Sequence, residues 1–248
     1  MTRLRSCLSF GPAIAFLRRR LSPEGYLGLY LTIGVAVLIG ACWVFGEITE
    51  DVITGDPLTL VDRRVAAIFN ANATPLRNKI MFAISFFGSG TFLGTAGSAG
   101  GVYLIWRRSW YRLLALLLVV PGGAMIDVVI KHLIQRQRPV FENPIATLNS
   151  YSFPSGHTMG ATLFYGLMAA LAMRELQGWK PKGGAFLGAV VIVLSVGFSR
   201  IFLGLHYLSD VLGAMAAGVA WLALCLTAVE TFRRGREKRL SHICSERS

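Results

Sequence analysis

The chain has 248 residues, of which 54 % are hydrophobic and 15 % charged, and its mean hydropathy is +0.55. That balance excludes an ordinary soluble domain, and the apolar residues come in long blocks, as helices that cross a bilayer require. A net charge of +12 would point to nucleic acid in a soluble protein; here the placement of the bases gives it another meaning, and no nucleic-acid partner is expected.

Residues 1–24 read as a basic cytoplasmic arm, with Arg3, Arg5 and the run Arg18-Arg19-Arg20. Six apolar spans follow, at roughly 26–46, 80–105, 113–130, 158–173, 184–198 and 208–229. The fold expected is therefore all-α: an integral membrane bundle of six transmembrane helices occupying 25–230, with both termini cytoplasmic. Residues 231–248 form a basic cytoplasmic tail, read as a solvated flank. The second span carries Gly90/Gly94 and Gly97/Gly101 at small-xxx-small spacing, which predicts close helix packing. Cys7, Cys42, Cys225 and Cys244 show no CxxC or Cys/His ligand spacing, so neither a disulfide framework nor a zinc site is expected.

Lysine and arginine counts orient the spans. Segments 1–24, 106–112, 174–182 and 230–248 carry 5, 3, 3 and 6, whereas 46–79, 131–157 and 199–207 carry 4, 3 and 1. The two sets alternate, which puts the second set outside. Segment 46–79 holds several acids, Asp62 among them, read as a solvated face; its middle, Leu58 to Ile68, has helical apolar spacing and is expected along the interface.

Three outward clusters carry chemistry. Ser199 to Asp210 places Arg200, His206 and Asp210 in a strongly apolar region, where such groups need partners or a task. His206 and Asp210 are four residues apart, so on a helix they share a face. A carboxylate there takes one imidazole N–H and leaves the other nitrogen free to attack. Lys131 and Arg138, seven apart, share a face if the helix continues to Pro139, which ends it. Arg136, two residues from Arg138, is expected to face away. Asp127, one turn before Lys131, is read as neutralising it. In Pro154-Ser155-Gly156-His157, the Ser155 and Gly156 amides at a helix start make an anion site, with His157 at its edge. Three cations, two amides and two histidines suit phosphoryl transfer: the equatorial oxygens are neutralised, one histidine attacks and the other protonates the departing oxygen.

Lys-x6-Arg-Pro, Pro-Ser-Gly-His and Ser-Arg-x5-His-x3-Asp together resemble the signature of the type 2 phosphatidic acid phosphatase family of membrane lipid phosphatases, which the soluble vanadium haloperoxidases share. The resemblance implies that His206 is the nucleophile forming a phosphohistidine, that Asp210 supports it, and that His157 is the acid toward the leaving group. It implies that Lys131, Arg138, Ser155, Gly156 and Arg200 hold the phosphate, without a metal or other cofactor. The substrate expected is a lipid phosphate or pyrophosphate (undecaprenyl pyrophosphate, phosphatidylglycerol phosphate or phosphatidic acid), hydrolysed at the periplasmic face of the inner membrane. A lipid phosphotransferase, a lipid A phosphatase and a non-catalytic lipid-phosphate transporter remain alternatives at this point.

Overall fold

A computed structural model describes residues 29–55, 57–141, 144–146 and 148–245. The basic arm at 1–24 therefore lies outside the described residues. All regular structure among the described residues is helical. In chain order the helices are α1 (Leu29–Thr54), α2 (Pro57–Ala71), α3 (Pro75–Phe86), α4 (Gly90–Trp106), α5 (Trp110–Ile134), α6 (Gly156–Glu175), α7 (Trp179–Phe202) and α8 (Leu208–Ser245).

Among the described residues, five segments are long and apolar enough to cross a membrane: Leu29–Thr54, Pro75–Trp106, Trp110–Ile134, Trp179–Phe202 and Leu208–Glu237. The second joins α3 and α4 across a short turn. Thr74 caps α3 by accepting from the Arg77 amide, with Pro75 at the first helical position. Ser89 caps α4, accepting from the Phe92 amide at 3.2 Å. The turn between them contains Gly88, where a Cβ would come within 2.5 Å of Val196 and 2.9 Å of the His157 carbonyl oxygen. Glycine is thus required for the α3–α4 turn to rest on the start of α6.

The glycine spacing in α4 does not mark the tight packing expected: at Gly101 a Cβ would make only ordinary contact, 3.8 Å from Leu116 of α5. A Cβ at Gly90, Gly94, Gly97 or Gly100 would meet nothing within 4 Å, so these positions line no close contact among the described residues. The tight approaches are elsewhere: Gly123 of α5 against Leu163, Gly160 of α6 against Leu93, and Gly197 of α7 against Val211. Absence of a Cβ at the first two lets α6 nest against its neighbours, and at the third lets α7 approach α8.

α6 is the central helix. Met159, Ala161, Leu163 and Leu167 are at most 1 % exposed, and Met159, Leu163 and Leu167 pack in one cluster with Val119 of α5 and Ala214 and Ala217 of α8. Its 20 residues include His157, Arg174 and Glu175 near the ends, which suits a helix sheltered by others better than one facing lipid. α2 matches the helix expected over Leu58 to Ile68, but its acid face is not solvated: Asp62 is fully buried. The basic tail is also more structured than a solvated flank. α8 runs on as one helix through it, and Arg233 and Arg234 both pair with Glu230 at 2.8 and 2.6 Å.

Candidate active site

The C-terminal ends of α5 and α7 and the N-terminal ends of α6 and α8 meet at one end of the bundle, and α2 closes over them. The three sequence clusters converge there.

α7 ends at Phe202 and the chain reverses through Gly204, at φ +68°, whose missing Cβ would lie 2.9 Å from the Phe141 ring. His206 therefore sits in the turn before α8, not in the helix itself, yet its spacing to Asp210 still closes the pair: Nδ1 lies 3.3 Å from Oδ2. The same Oδ2 accepts from the Tyr207 amide at 2.9 Å, so Asp210 caps the helix it belongs to. An ionised carboxylate only accepts, which assigns the proton to Nδ1 and the lone pair to Nε2. His206 is 2 % exposed and Asp210 is fully buried. Burial lowers the His206 pKa, Arg138 and Arg200 push it the same way, and the Asp210 bond opposes them, leaving it at about 4. The ring is neutral at pH 7, as a nucleophile must be.

Arg138 stands at the free nitrogen. Its Nη1 lies 3.1 Å from His206 Nε2 and donates to the Leu205 carbonyl at 2.6 Å. Its Nε and Nη2 donate to Ser150 and Tyr151. The residue gets there by a route other than the one expected. α5 stops at Ile134, Gln135 is left-handed at φ 52°, and residues 135–138 are not helical. Seven-residue helical spacing consequently does not relate Lys131 to Arg138.

The same geometry overturns the reading of Arg136. Outside a helix it points inward: Nη1 donates to Asp210 Oδ1 at 2.5 Å and Nη2 to Asp62 Oδ2 at 2.7 Å. Its guanidinium also lies 4.4 Å from the Tyr207 ring centre. Asp62 in turn accepts from the Ser209 amide at 2.9 Å and the Ser209 hydroxyl at 2.5 Å. Ser152 donates its hydroxyl to Asp210 Oδ2. Asp62, Arg136 and Ser152 were all missed by sequence reasoning. The available signal was that Asp62 is an acid within an amphipathic helix on the same predicted outward side as the basic 131–157 segment, whose Arg136 it pairs with.

Lys131 is held by Asp127, with Nζ 2.6 Å from both carboxylate oxygens, and also donates to the Pro154 carbonyl at 2.6 Å. Asp127 does neutralise Lys131, and the pair pins α5 to the start of α6. A Cβ at Gly156 would lie 3.0 Å from Asp127 Oδ2 and 3.5 Å from Lys131 Nζ, so glycine there lets the lysine reach the helix start. Ser155 departs from expectation. Its amide donates to the Asp210 carbonyl at 3.1 Å and is not open to an anion, while its hydroxyl accepts from Thr158. Gly156 and His157, at the first two positions of α6, carry the amides that have no acceptor one turn back.

Arg200 is 4 % exposed; Nη1 donates to Ser85 Oγ at 2.7 Å, and Nε is a buried donor without an acceptor among the described residues. Such an orphan is costly unless something arrives to accept from it. His157 lies within electrostatic reach of Arg200, His206, Lys131 and Arg138. The cluster can therefore surround an anion with three guanidinium or ammonium groups and one helix start, beside a neutral imidazole.

The family model of the PAP2 superfamily matches residues 91–234, more than half of the chain. The chain belongs to the PAP2 superfamily. It is 34 % identical over 166 residues to phosphatidylglycerophosphatase B of Bacillus subtilis, a match covering 66 % of this chain and 81 % of that protein. A putative undecaprenyl-diphosphatase, YbjG of Escherichia coli, is 27 % identical over 163 residues, 63 % of this chain and 76 % of that one. Among solved structures, the transmembrane PAP2-type phosphatidylglycerolphosphate phosphatase from Bacillus subtilis superposes with a TM-score of 0.69 at 29 % identity, covering 76 % of this chain and 93 % of that chain. The resemblance drawn from the three motifs is thus the right family, and the chain is an enzyme of the lipid phosphatase class in a multi-pass membrane setting.

Proposed function

We propose that this PAP2 protein hydrolyses a lipid phosphate or pyrophosphate through a phosphohistidine at His206. The observation that carries the reading is the buried His206–Asp210 pair, whose free Nε2 faces Arg138 rather than solvent. In the first step the Nε2 lone pair attacks phosphorus and the P–O bond to the lipid breaks. His157 gives its proton to the departing oxygen. In the second step water attacks phosphorus, returning a proton to His157, and the P–N bond breaks to release inorganic phosphate. The Nδ1 proton stays on His206 throughout, and Asp210 stabilises the charge that develops on the ring.

Arg138 must leave Nε2 for attack to occur. A phosphate oxygen is the stronger acceptor for a guanidinium, so substrate binding frees the lone pair it needs. Arg200 offers Nε, Lys131 its charge, and Gly156 and His157 their amides. Ser155 takes part through its placement of the α6 start. A dianion arriving among these cations also favours protonated His157, the form an acid requires.

The remaining assignments rest on the sequence and on the relatives. α6 is proposed as a sixth span, giving both termini a cytoplasmic location and the site a periplasmic one in an inner membrane. Charge alternation supports this, as does the gathering of all three outward segments at one end of the bundle. The arm at 1–24 and tail at 231–248 flank the catalytic unit at 25–230. Phosphatidylglycerol phosphate is the leading substrate, on the strength of the Bacillus relatives; undecaprenyl pyrophosphate and phosphatidic acid follow. The test is phosphate release by purified protein in detergent with a chelator, each lipid offered in parallel and His206→Ala as control. Release in chelator that vanishes in the variant supports the reading. Release that survives in the variant contradicts it.

A further inference from the structure

A cavity of about 730 Å³ opens at the far end of the bundle from His206. It is bounded by the α4–α5 turn, the first turn of α5, the last turns of α6, and α8 from Leu226 to Arg236. α6 runs 20 residues from one end to the other, so the cavity lies about 30 Å from the catalytic groups.

Its charge is unbalanced. Arg108, Arg112, Arg174, Arg233, Arg234 and Arg236 line it, against Glu175 and Glu230. Glu230 alone serves three guanidiniums, those of Arg174, Arg233 and Arg234, at 3.1, 2.8 and 2.6 Å. Arg112 takes Glu175. Arg108 and Arg236 form no ion pair among the described residues. Arginines joined to carboxylates one-for-one would only staple helices together; here the surplus is at least three positive charges around one space, even when the Arg233 partner Glu237 is included.

Backbone groups add to the same field. α5 begins at this cavity, and its N-cap residue Ser109 makes no side-chain capping bond. The first-turn amides and the positive end of the helix dipole are therefore directed at a space already lined with arginine. Arg108 is held left-handed at φ 52°, a conformation that costs energy in a residue with a Cβ.

The rest of the lining says which kind of anion fits. Leu114, Ala115, Leu171, Leu226 and Val229 form an apolar base, and Trp110 and Tyr111 stand where an aromatic belt would. A soluble anion has no use for that base. A phosphate with acyl chains does, since the chains descend along it while the phosphate meets the arginines. We propose that this cavity binds the phosphate headgroup of an anionic phospholipid as a structural lipid, apart from the substrate site.

The experiment is native mass spectrometry of the purified full-length protein, titrated with phosphatidylserine, an anionic lipid that is neither substrate nor product of the proposed reaction. Phosphatidylcholine and the deacylated headgroup glycerophosphoserine are the comparisons. The variants are Arg108→Asn, which keeps a residue tolerant of the left-handed backbone, combined with Arg236→Gln, and separately the exposed-position change Arg236→Glu. The wild type should retain one phosphatidylserine that phosphatidylcholine and the free headgroup do not match. Both variants should bind that lipid about tenfold or more weakly, with phosphate release from substrate unchanged. Equal binding of phosphatidylcholine would overturn the role of the arginines. Equal binding of glycerophosphoserine would overturn the lipid assignment. Undiminished phosphatidylserine binding in the folded variants would overturn the site.

Discussion

Arg136 donates to Asp210 at 2.5 Å, and with its other nitrogen holds Asp62 at 2.7 Å, so one guanidinium joins α2 to the residue that orients His206. Both carboxylates are fully buried and the side chain of Arg136 is 12 % exposed. Burial lowers the pKa of Arg136, but the two aspartates outweigh it and hold the net shift upward. The cation is therefore fixed, and the Asp210 carboxylate cannot rotate away from the imidazole without breaking this clamp.

Asp62→Asn should act on catalysis through that clamp. Loss of one charge-assisted bond to Arg136 should lower kcat by about ten- to a hundredfold with KM little changed. With Asp62 neutral, Arg136 draws more strongly on Asp210, so the His206 pKa should fall below its present value. A purely structural role for Asp62 would lower Tm and leave the His206 titration where it was. Kinetics together with histidine NMR separate the two.

The His206 titration itself has a sign that can be checked. At a pKa of about 4 the ring keeps its Nε2 lone pair down to that pH and loses it below, so nucleophilic capacity is lost as pH falls through 4, not through the ordinary 6.5. Arg138→Met removes a cation that holds the pKa down and should raise it. Asp210→Asn removes the bond and charge that hold it up and should lower it. Nitrogen-15 NMR of labelled histidine in the apo protein reads both shifts, and movement in the opposite directions would contradict the electrostatic account.

Gly88→Ala should damage the site from outside it. The added methyl would meet the His157 carbonyl at 2.9 Å, and because that oxygen is backbone, the α3–α4 turn must move off α6. The cost expected is about 1–3 kcal/mol, seen as a lower Tm, with reduced turnover as His157 shifts. Gly94→Ala, which meets nothing within 4 Å, is the control and should leave turnover unchanged without lowering Tm.

The proposed topology predicts which cysteines an impermeant reagent reaches in intact cells. In a cysteine-free background, Leu148→Cys should label and Gln177→Cys should not, both positions being exposed and at opposite ends of α6. The reverse pattern would invert the bundle in the membrane.

The sequence carried the site's chemistry because its members are unusual where they stand. Arg200, His206 and Asp210 are conspicuous in apolar surroundings, and their spacing survives even though His206 lies in the turn before α8. Helical periodicity failed where the helix ended early. Gln135 in a left-handed conformation terminates α5, and that single backbone event sends Arg136 inward and brings Arg138 to His206 by an extended path. Nothing in the local sequence announces it, since glutamine is not a residue that requires positive φ. Asp62 was hidden for a different reason: an acid on an amphipathic helix looks solvated until a distant arginine arrives, 74 residues away. The role of the Ser155 amide was likewise set by a remote partner, the carbonyl of Asp210.

The most direct test of the account is trapping by an alkaline detergent quench on purified protein given phosphatidylglycerol phosphate with a labelled terminal phosphate. The account predicts label on the protein that is acid-labile and stable to base, located at His206, and absent from His206→Ala, which should also release no phosphate. Turnover or protein labelling that persists in His206→Ala would contradict the phosphohistidine mechanism at its centre.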